Sequence, residues 1–406
     1  MQMTALKDFL FNAREILGKS RYPWVDYARG ICIILVVYRH VFEGLSSVDL
    51  DLNLAAYPLL KYFNIFFFSF RMPLFFIVSG AFFLASLRRK GPNDYMQNRF
   101  STLFYPLMIW GVLQITLQLV FAEYVNAHRE PSDYLRLLTD PRRIEQFWYL
   151  NALFFVSLLY TLLTVYGRFK PWHHLIVGVV LFAVAEYAFF SKVNIGFLFD
   201  LFFFYIFFAI GDLLSDLLLN TRNYKILTSR WLILALLPVF IFLQHNFTKL
   251  NMQANDDYYV QYHLPLLYIL CALIGGTFVI SVSFMLQKFD VMRWLRVIGY
   301  HSLFIYVMHL MVTSLTRTVL VRFAGFTNFP VLLTIGIIAG IVLPVIVYNL
   351  AIRLGGWWLF SLKKKTSARI GNPAPYYKRD LLTAKESTGY NTGNTVIVKR
   401  DDGKEE

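Results

Sequence analysis

Arg29 and His40 stand 11 residues apart in an otherwise apolar stretch from Trp24 to Glu43. At about 100° per residue this interval is about three turns plus 20°, so on a helix the guanidinium and the imidazole share one face, about 16 Å apart along the axis. Glu43 lies one turn beyond His40, where it can accept the ring proton and hold the imidazole in the tautomer of a general base. Asp26 can pair with Arg29 in the same way, at i, i+3. Arg39, Arg71 and His309 also interrupt apolar runs, and Ser302, Tyr306 and His309 share a helix face at spacings of four and three. A lone histidine in an apolar helix is ordinarily a hydrogen-bonded core residue. That reading is weakened for His40 by its company, and for His309 a structural and a substrate-contacting role stay equally open.

The elements that must position these groups are membrane spans. The chain has 406 residues, of which 57% are hydrophobic and 16% charged, with mean hydropathy +0.51. A soluble domain carries about 25% charged residues, so an ordinary water-soluble globule is excluded. Ten segments are long and apolar enough to span a bilayer: 25–45, 59–86, 101–123, 147–166, 174–190, 197–219, 231–246, 263–287, 298–320 and 331–354, the fifth and seventh being shortest. The expected fold is therefore an all-α polytopic membrane protein with about ten transmembrane helices. With the N-terminus inside, the inner segments hold 19 Lys and Arg and the outer loops 8, which places both termini in the cytoplasm. Ionisable groups at membrane depth cost at least a few kcal/mol each, so Arg29, His40, Arg71 and His309 become the default functional candidates.

The remaining features set boundaries. Residues 1–22 show Leu6, Phe9, Leu10, Ala13 and Leu17 at helical spacing among charges, the pattern of an amphipathic cytoplasmic helix at the membrane surface, and they lack the apolar run of a signal peptide. Residues 23–362 form the transmembrane domain, and 363–406 read as a disordered polar and basic cytoplasmic tail. The net charge of +14 is scattered between apolar segments, so a nucleic-acid partner is disfavoured and a lipid bilayer is the expected surroundings. Cys32 and Cys271 read as small core residues, and no His and carboxylate set has metal-ligand spacing, so no metal is expected. The longest outer loops, 124–146 and about 246–262, carry acidic and aromatic residues suited to a sugar, although a plain solvated loop has the higher prior.

Four blocks then resemble the acyltransferase-3 family of integral membrane acyltransferases, which includes polysaccharide O-acetylases. Arg29 and His40 within Trp24-Val-Asp-x-x-Arg-Gly look like the family's first-helix Arg, ten residues, His pattern. Phe70 to Gly80, ending in Ser79-Gly80, is similar to its second-helix block. Phe147-Trp148-Tyr149-Leu150 resembles its Trp-aromatic-Leu block, and Ile298 to His309 its late Ser-Leu, Ile-Tyr and His block. The Trp-Val-Asp opening looks closest to the fucose 4-O-acetylase-like branch. One departure stands out: the family's Arg-x-x-Arg pair appears here as Arg99-Phe-Ser-Thr102, so only the first arginine is present.

The resemblance implies transfer of an acetyl or other acyl group from cytoplasmic acyl-CoA, usually acetyl-CoA as co-substrate with no tightly bound cofactor, to a hydroxyl of a cell-surface carbohydrate or lipid-linked glycan. It also implies a multi-pass protein of a bacterial inner or plasma membrane. His40 is expected as general base oriented by Glu43, Arg71 or His309 as polariser of the thioester carbonyl, Arg29, Ser79, Gly80 and Arg99 as donor contacts, and Trp148 and Tyr306 as acceptor contacts. The acceptor, the acyl chain and the oligomeric state stay open. A transporter or flippase of a polysaccharide precursor is the competing class, since ten spans with buried charge serve either, but neither an inverted repeat nor midplane helix breaks beyond Gly275-Gly276 are evident.

Overall fold

The structure, a computed structural model, describes residues 9–19, 22–47, 57–124 and 127–362. The expected tail and the first eight residues lie outside the described residues. What is described is helical: α1 Ala13–Lys19, α2 Pro23–Ser46, α3 Pro58–Lys90, α4 Pro92–Val120, α5 Asp133–Thr139, α6 Trp148–Val165 and α7 Pro171–Phe190 come first. They are followed by α8 Phe197–Leu213, α9 Arg230–Ala254, α10 Pro265–Phe289, α11 Trp294–Tyr300, α12 Ser302–Phe323 and α13 Phe329–Arg353. Among the described residues eight helices are long and apolar enough to cross a membrane: α3, α4, α6 extended back to Pro141, α7, α9, α10, α12 and α13. The two others expected to span pack in the same bundle. α8 is apolar but has 17 residues, and α2 has 24 but carries Asp26, Arg29, Arg39 and Glu43.

Several limits differ from the sequence expectation for identifiable reasons. The seventh span does not stop near 246, because α9 continues to Ala254. Toward that end α9 buries Gln244, Thr248 and Asn251 on one face, held by hydrogen bonds: Ser69 donates to Gln244 Oε1 (2.8 Å), Gln244 Nε2 donates to the Cys271 carbonyl (3.0 Å), Thr248 donates to the Gln244 carbonyl (2.7 Å), and Val260 N–H donates to Asn251 Oδ1 (2.9 Å). Hydropathy alone reads such residues as loop. α4 begins at Pro92 and passes through a π-helical turn, Phe100–Phe104, before continuing from Tyr105. Pro106 has no N–H to return to the Thr102 carbonyl, which breaks the i to i−4 ladder at that turn. α2 starts at Pro23, suited to a first helical turn, and the Gln287 side chain of α10 accepts the Trp24 N–H at 2.8 Å.

Small residues let the helices of the centre approach closely. A Cβ on Gly299 would lie 1.8 Å from the Asp26 carbonyl oxygen, and one on Gly30 would lie 2.3 Å from that of Leu295, so α2 and α11 touch backbone to backbone. α3 and α8 meet in the same way, with Gly80 against Phe208 and Gly211 against Ile77. The N-terminal segment, expected on the membrane surface, is docked on the bundle: Ile16 is buried, Asn349 Nδ2 donates to the Leu10 carbonyl, and Arg353 lies over Phe9.

The loop expected to be solvated between the third and fourth spans is instead an ordered cap. α5 lies within it, and Asp133 is buried. Burial opposes the Asp133 carboxylate, yet the Glu130 N–H and the Arg136 guanidinium bond it and hold its pKa below the ordinary value. Arg142 is the main anchor. Its guanidinium meets the buried Asp200 of α8 at 2.5 Å from Nη2 and 2.8 Å from Nε, and it lies 4.7 Å over the ring of Trp148.

Two outcomes follow from this packing. Gly299→Val forces carbons onto backbone atoms that cannot yield, so it should cost at least the upper part of the about 1–3 kcal/mol typical of overpacking; an unchanged thermal melt of detergent-solubilised protein would contradict the α2–α11 contact. Asp200→Asn leaves the half-buried Arg142 guanidinium without its counter-charge and should cost up to about 3 kcal/mol, while the double change R142M with D200L should recover most of it. Melting curves of the three variants check this, and a single mutant as stable as the parent would argue against the anchor.

Candidate active site

α2 delivers its ionisable groups to two cavities at opposite ends. The larger, about 1020 Å³, is walled by His40 and Glu43 of α2, Gln114 and Gln118 of α4, Arg142, Glu145 and Trp148 before and at the start of α6, Tyr258, the second half of α12 and the first turns of α13. The smaller, about 220 Å³, lies at the other end, lined by Arg29, Ser79, Ser86, Lys90, Tyr95, Asn98 and Arg99. The helical spacing of Arg29 and His40 thus connects two distinct chambers through one rod.

Behind the His40 wall of the larger cavity the two histidines meet. The rings of His40 and His309 have centroids 5.1 Å apart, tilted by 49°. His309 is fully buried, and its Nδ1 lies 2.8 Å from the Tyr306 carbonyl and 3.1 Å from that of Ile305. A carbonyl can only accept, so Nδ1 carries the proton and donates. Nε2 is then a buried acceptor, and it has no hydrogen-bond partner. His40 is held in place from behind, because Gly336 of α13 leaves room for Val41 and Gly340 for Val37.

Glu43 stands otherwise than its spacing suggested. Its Oε1 is 2.5 Å from Arg39 Nη2, whereas Oε2 is 3.6 Å from His40 Nδ1, beyond hydrogen-bond length. The reason is Arg39 itself, a buried cation one turn before Glu43 that also reaches Asp257 at 3.5 Å and lies over the Phe68 and Tyr258 rings. Arg71 donates to the Leu35 carbonyl at 2.7 Å and lies over Phe68, within the helix layer behind the cavity wall. Trp148 lines the cavity, as a substrate contact would. Tyr306 does not: its hydroxyl donates to the Gln146 carbonyl and its ring packs on Tyr149 at 5.2 Å, so it ties α12 to the start of α6.

At the smaller cavity, Arg29, Ser79 and Arg99 come together from α2, α3 and α4. Arg99 is steered by Tyr95, whose hydroxyl accepts from its Nε at 2.9 Å and whose ring it overlies at 5.0 Å. Gly80 does not line this space. Its missing side chain is used by the Phe208 carbonyl in the α3–α8 contact. Thr102 bonds the Asn98 carbonyl within its own helix. Lys90, counted from the sequence only as a loop charge, is the third cation of the lining. Sequence reasoning likewise passed over Gln114, Arg142, Glu145 and Arg317. Gln114 stood in an apolar run and was the one with a visible signal.

A family profile described as "Acyltransferase domain", acyltransferase-3, matches residues 22–349. Among curated proteins, nodulation protein NolL of Mesorhizobium japonicum is similar, 27% identical over 218 residues that make up 54% of each chain. The chain therefore spans about half the length of this curated relative. No solved structure matches it. With the profile covering all of α2 to the last turns of α13, including both cavities and the helix that connects them, the chain belongs to the acyltransferase-3 family.

Proposed function

We propose that the protein is a membrane O-acyltransferase that takes an acetyl or other acyl group from an acyl-CoA entering at the Arg29 cavity and passes it to a hydroxyl of a carbohydrate or lipid-linked glycan in the His40 cavity. One observation carries the reading: a cationic chamber and a larger chamber lined by His40, with His309 packed against that ring, open at opposite ends of one helix. Arg29, Lys90 and Arg99 suit the phosphates of the donor, and no carboxylate belongs to that lining. An acyl-bearing arm must then cover the about 16 Å from Arg29 to His40. The donor end is read as cytoplasmic, with both chain termini on that side, in a bacterial inner or plasma membrane.

In the mechanism His40 removes the proton of the acceptor hydroxyl as its oxygen attacks the thioester carbonyl. The tetrahedral intermediate collapses with loss of the thiolate, and the imidazolium returns the proton to sulfur. Neutral His309, whose proton is committed to backbone carbonyls, supports His40 with the lone pair on Nε2. It has no proton with which to polarise the carbonyl, and Arg71, behind the wall, acts on the developing oxyanion through the field of its charge and without direct contact. Glu43, drawn to Arg39, shapes the wall and supplies charge to the site.

Purified protein in nanodiscs, given radiolabelled acetyl-CoA and a panel of glycans, should transfer label to a glycan. His40→Ala should fold and lose about 10²- to 10⁴-fold in transfer rate, and near wild-type transfer by that variant would remove His40 as base. Lys90→Ala should act on the donor side: losing a contact to a charged phosphate, about 1.5–3 kcal/mol, raises the donor KM about ten- to a hundredfold with the acceptor KM unchanged. Sugar movement across vesicles without any acyl donor, and no transfer with it, would instead favour transport.

A further inference from the structure

Glu145 enters the wall of the His40 cavity by an unusual backbone. Its φ is 56° and ψ −119°, a conformation natural to glycine and strained for a residue with a side chain. Strain of this kind persists where the surroundings over-determine it, and here they do. Oε1 lies 3.2 Å from Arg129 Nη2, while Oε2 accepts from Gln114 Nε2 at 2.8 Å and from Gln118 Nε2 at 3.5 Å. Behind it the buried amides of Gln114 and Gln146 bond each other at 2.7 Å. The side chain nevertheless stays 34% exposed, on the cavity side, and an ionised carboxylate oxygen with one donor retains acceptor capacity.

The surrounding groups decide what that capacity fits. The guanidiniums on the wall are already spent, Arg142 on Asp200 and Arg317 on the Gly44 carbonyl at 2.6 Å. Glu43, paired with Arg39, and Glu145, paired with Arg129, line the same space beside the rings of Trp148 and Tyr124, and each side chain stays about a third exposed. At this point of the wall the Glu145 carboxylate offers an acceptor to hydroxyl donors, and a second carboxylate placed against it is disfavoured by like charge. We propose that Glu145 is an acceptor-binding and specificity-determining residue, which accepts hydrogen bonds from the hydroxyls of a neutral sugar ring and selects against sugars carrying a carboxylate. The proposal rests on the reading of the His40 cavity as the acceptor site.

The test uses full-length protein in nanodiscs with labelled acetyl-CoA and two sets of probes, methyl glycosides of neutral hexoses and 6-deoxyhexoses, and the matching methyl uronates. Glu145→Gln should raise the KM for a neutral glycoside at least tenfold, leave the donor KM unchanged, and narrow the preference for neutral over uronate acceptors at least tenfold. Glu145→Gly, the residue this backbone favours, should fold and show the same acceptor defect, so a loss caused only by misfolding is separated by its melting curve. Wild-type protein that acylates no sugar overturns the reaction reading and this proposal with it. Wild-type protein that acylates sugars, while the folded variants keep the acceptor KM and the preference within twofold, overturns this proposal alone.

Discussion

Everything in this molecule is arranged around a helix that cannot face lipid. Within 18 residues α2 carries Asp26, Arg29, Arg39, His40 and Glu43, and each of these groups at bilayer depth must be paired, hydrogen-bonded or opened to a polar cavity. The bundle therefore closes round α2. α11 touches it backbone to backbone through Gly30 and Gly299, α13 accepts its valines over Gly336 and Gly340, and α10 caps its first turn. The eight helices long and apolar enough to cross a membrane form the surroundings together with the shorter α8, and the charged α2 becomes the axis.

Enclosing one charged helix yields two chambers of different character. Toward its start the neighbours contribute cations and small polar groups, with Lys90 and Arg99 joining Arg29. Toward its end they contribute Glu145, the Arg142 and Arg317 guanidiniums, amides and aromatic rings, with the second histidine packed against His40. This polarity along a single rod suits a reaction whose two substrates differ in charge, a phosphorylated donor and a hydroxyl-bearing acceptor. It also explains why Arg39 is buried rather than snorkelled: Glu43, Asp257 and two ring faces around it compensate the charge in place.

The cap over the larger chamber is built by the same rule. Arg142 is held by Asp200 and Arg129 by Glu145 and Gln118, so charges that belong by sequence to a loop are consumed in fixing that loop. The strained backbone at Glu145 sits between these two anchors, immediately before the first turn of α6. A loop so tied can hold a side chain against its conformational preference, which a freely solvated one cannot.

The sequence by itself determined whatever depends on one helix at a time. Apolar runs of about 20 residues marked the spans, and the 11-residue interval put Arg29 and His40 on one face at opposite ends of α2, because helical periodicity is a local property. It ended α9 too early, because the turns carrying Thr248 and Asn251, bonded to the Gln244 carbonyl and the Val260 N–H, read as loop in hydropathy. Only the tertiary structure decided which groups meet across helices. It brought His309 against His40 and gave its proton to backbone carbonyls, drew Glu43 away to Arg39, turned Gly80 to packing and Tyr306 to the Gln146 carbonyl, and set Lys90 and Glu145 on cavity walls. Those outcomes turn on distances of a few ångströms between segments far apart in the chain. Spacing within a segment carries no information about such distances, and close packing of the helices settles them.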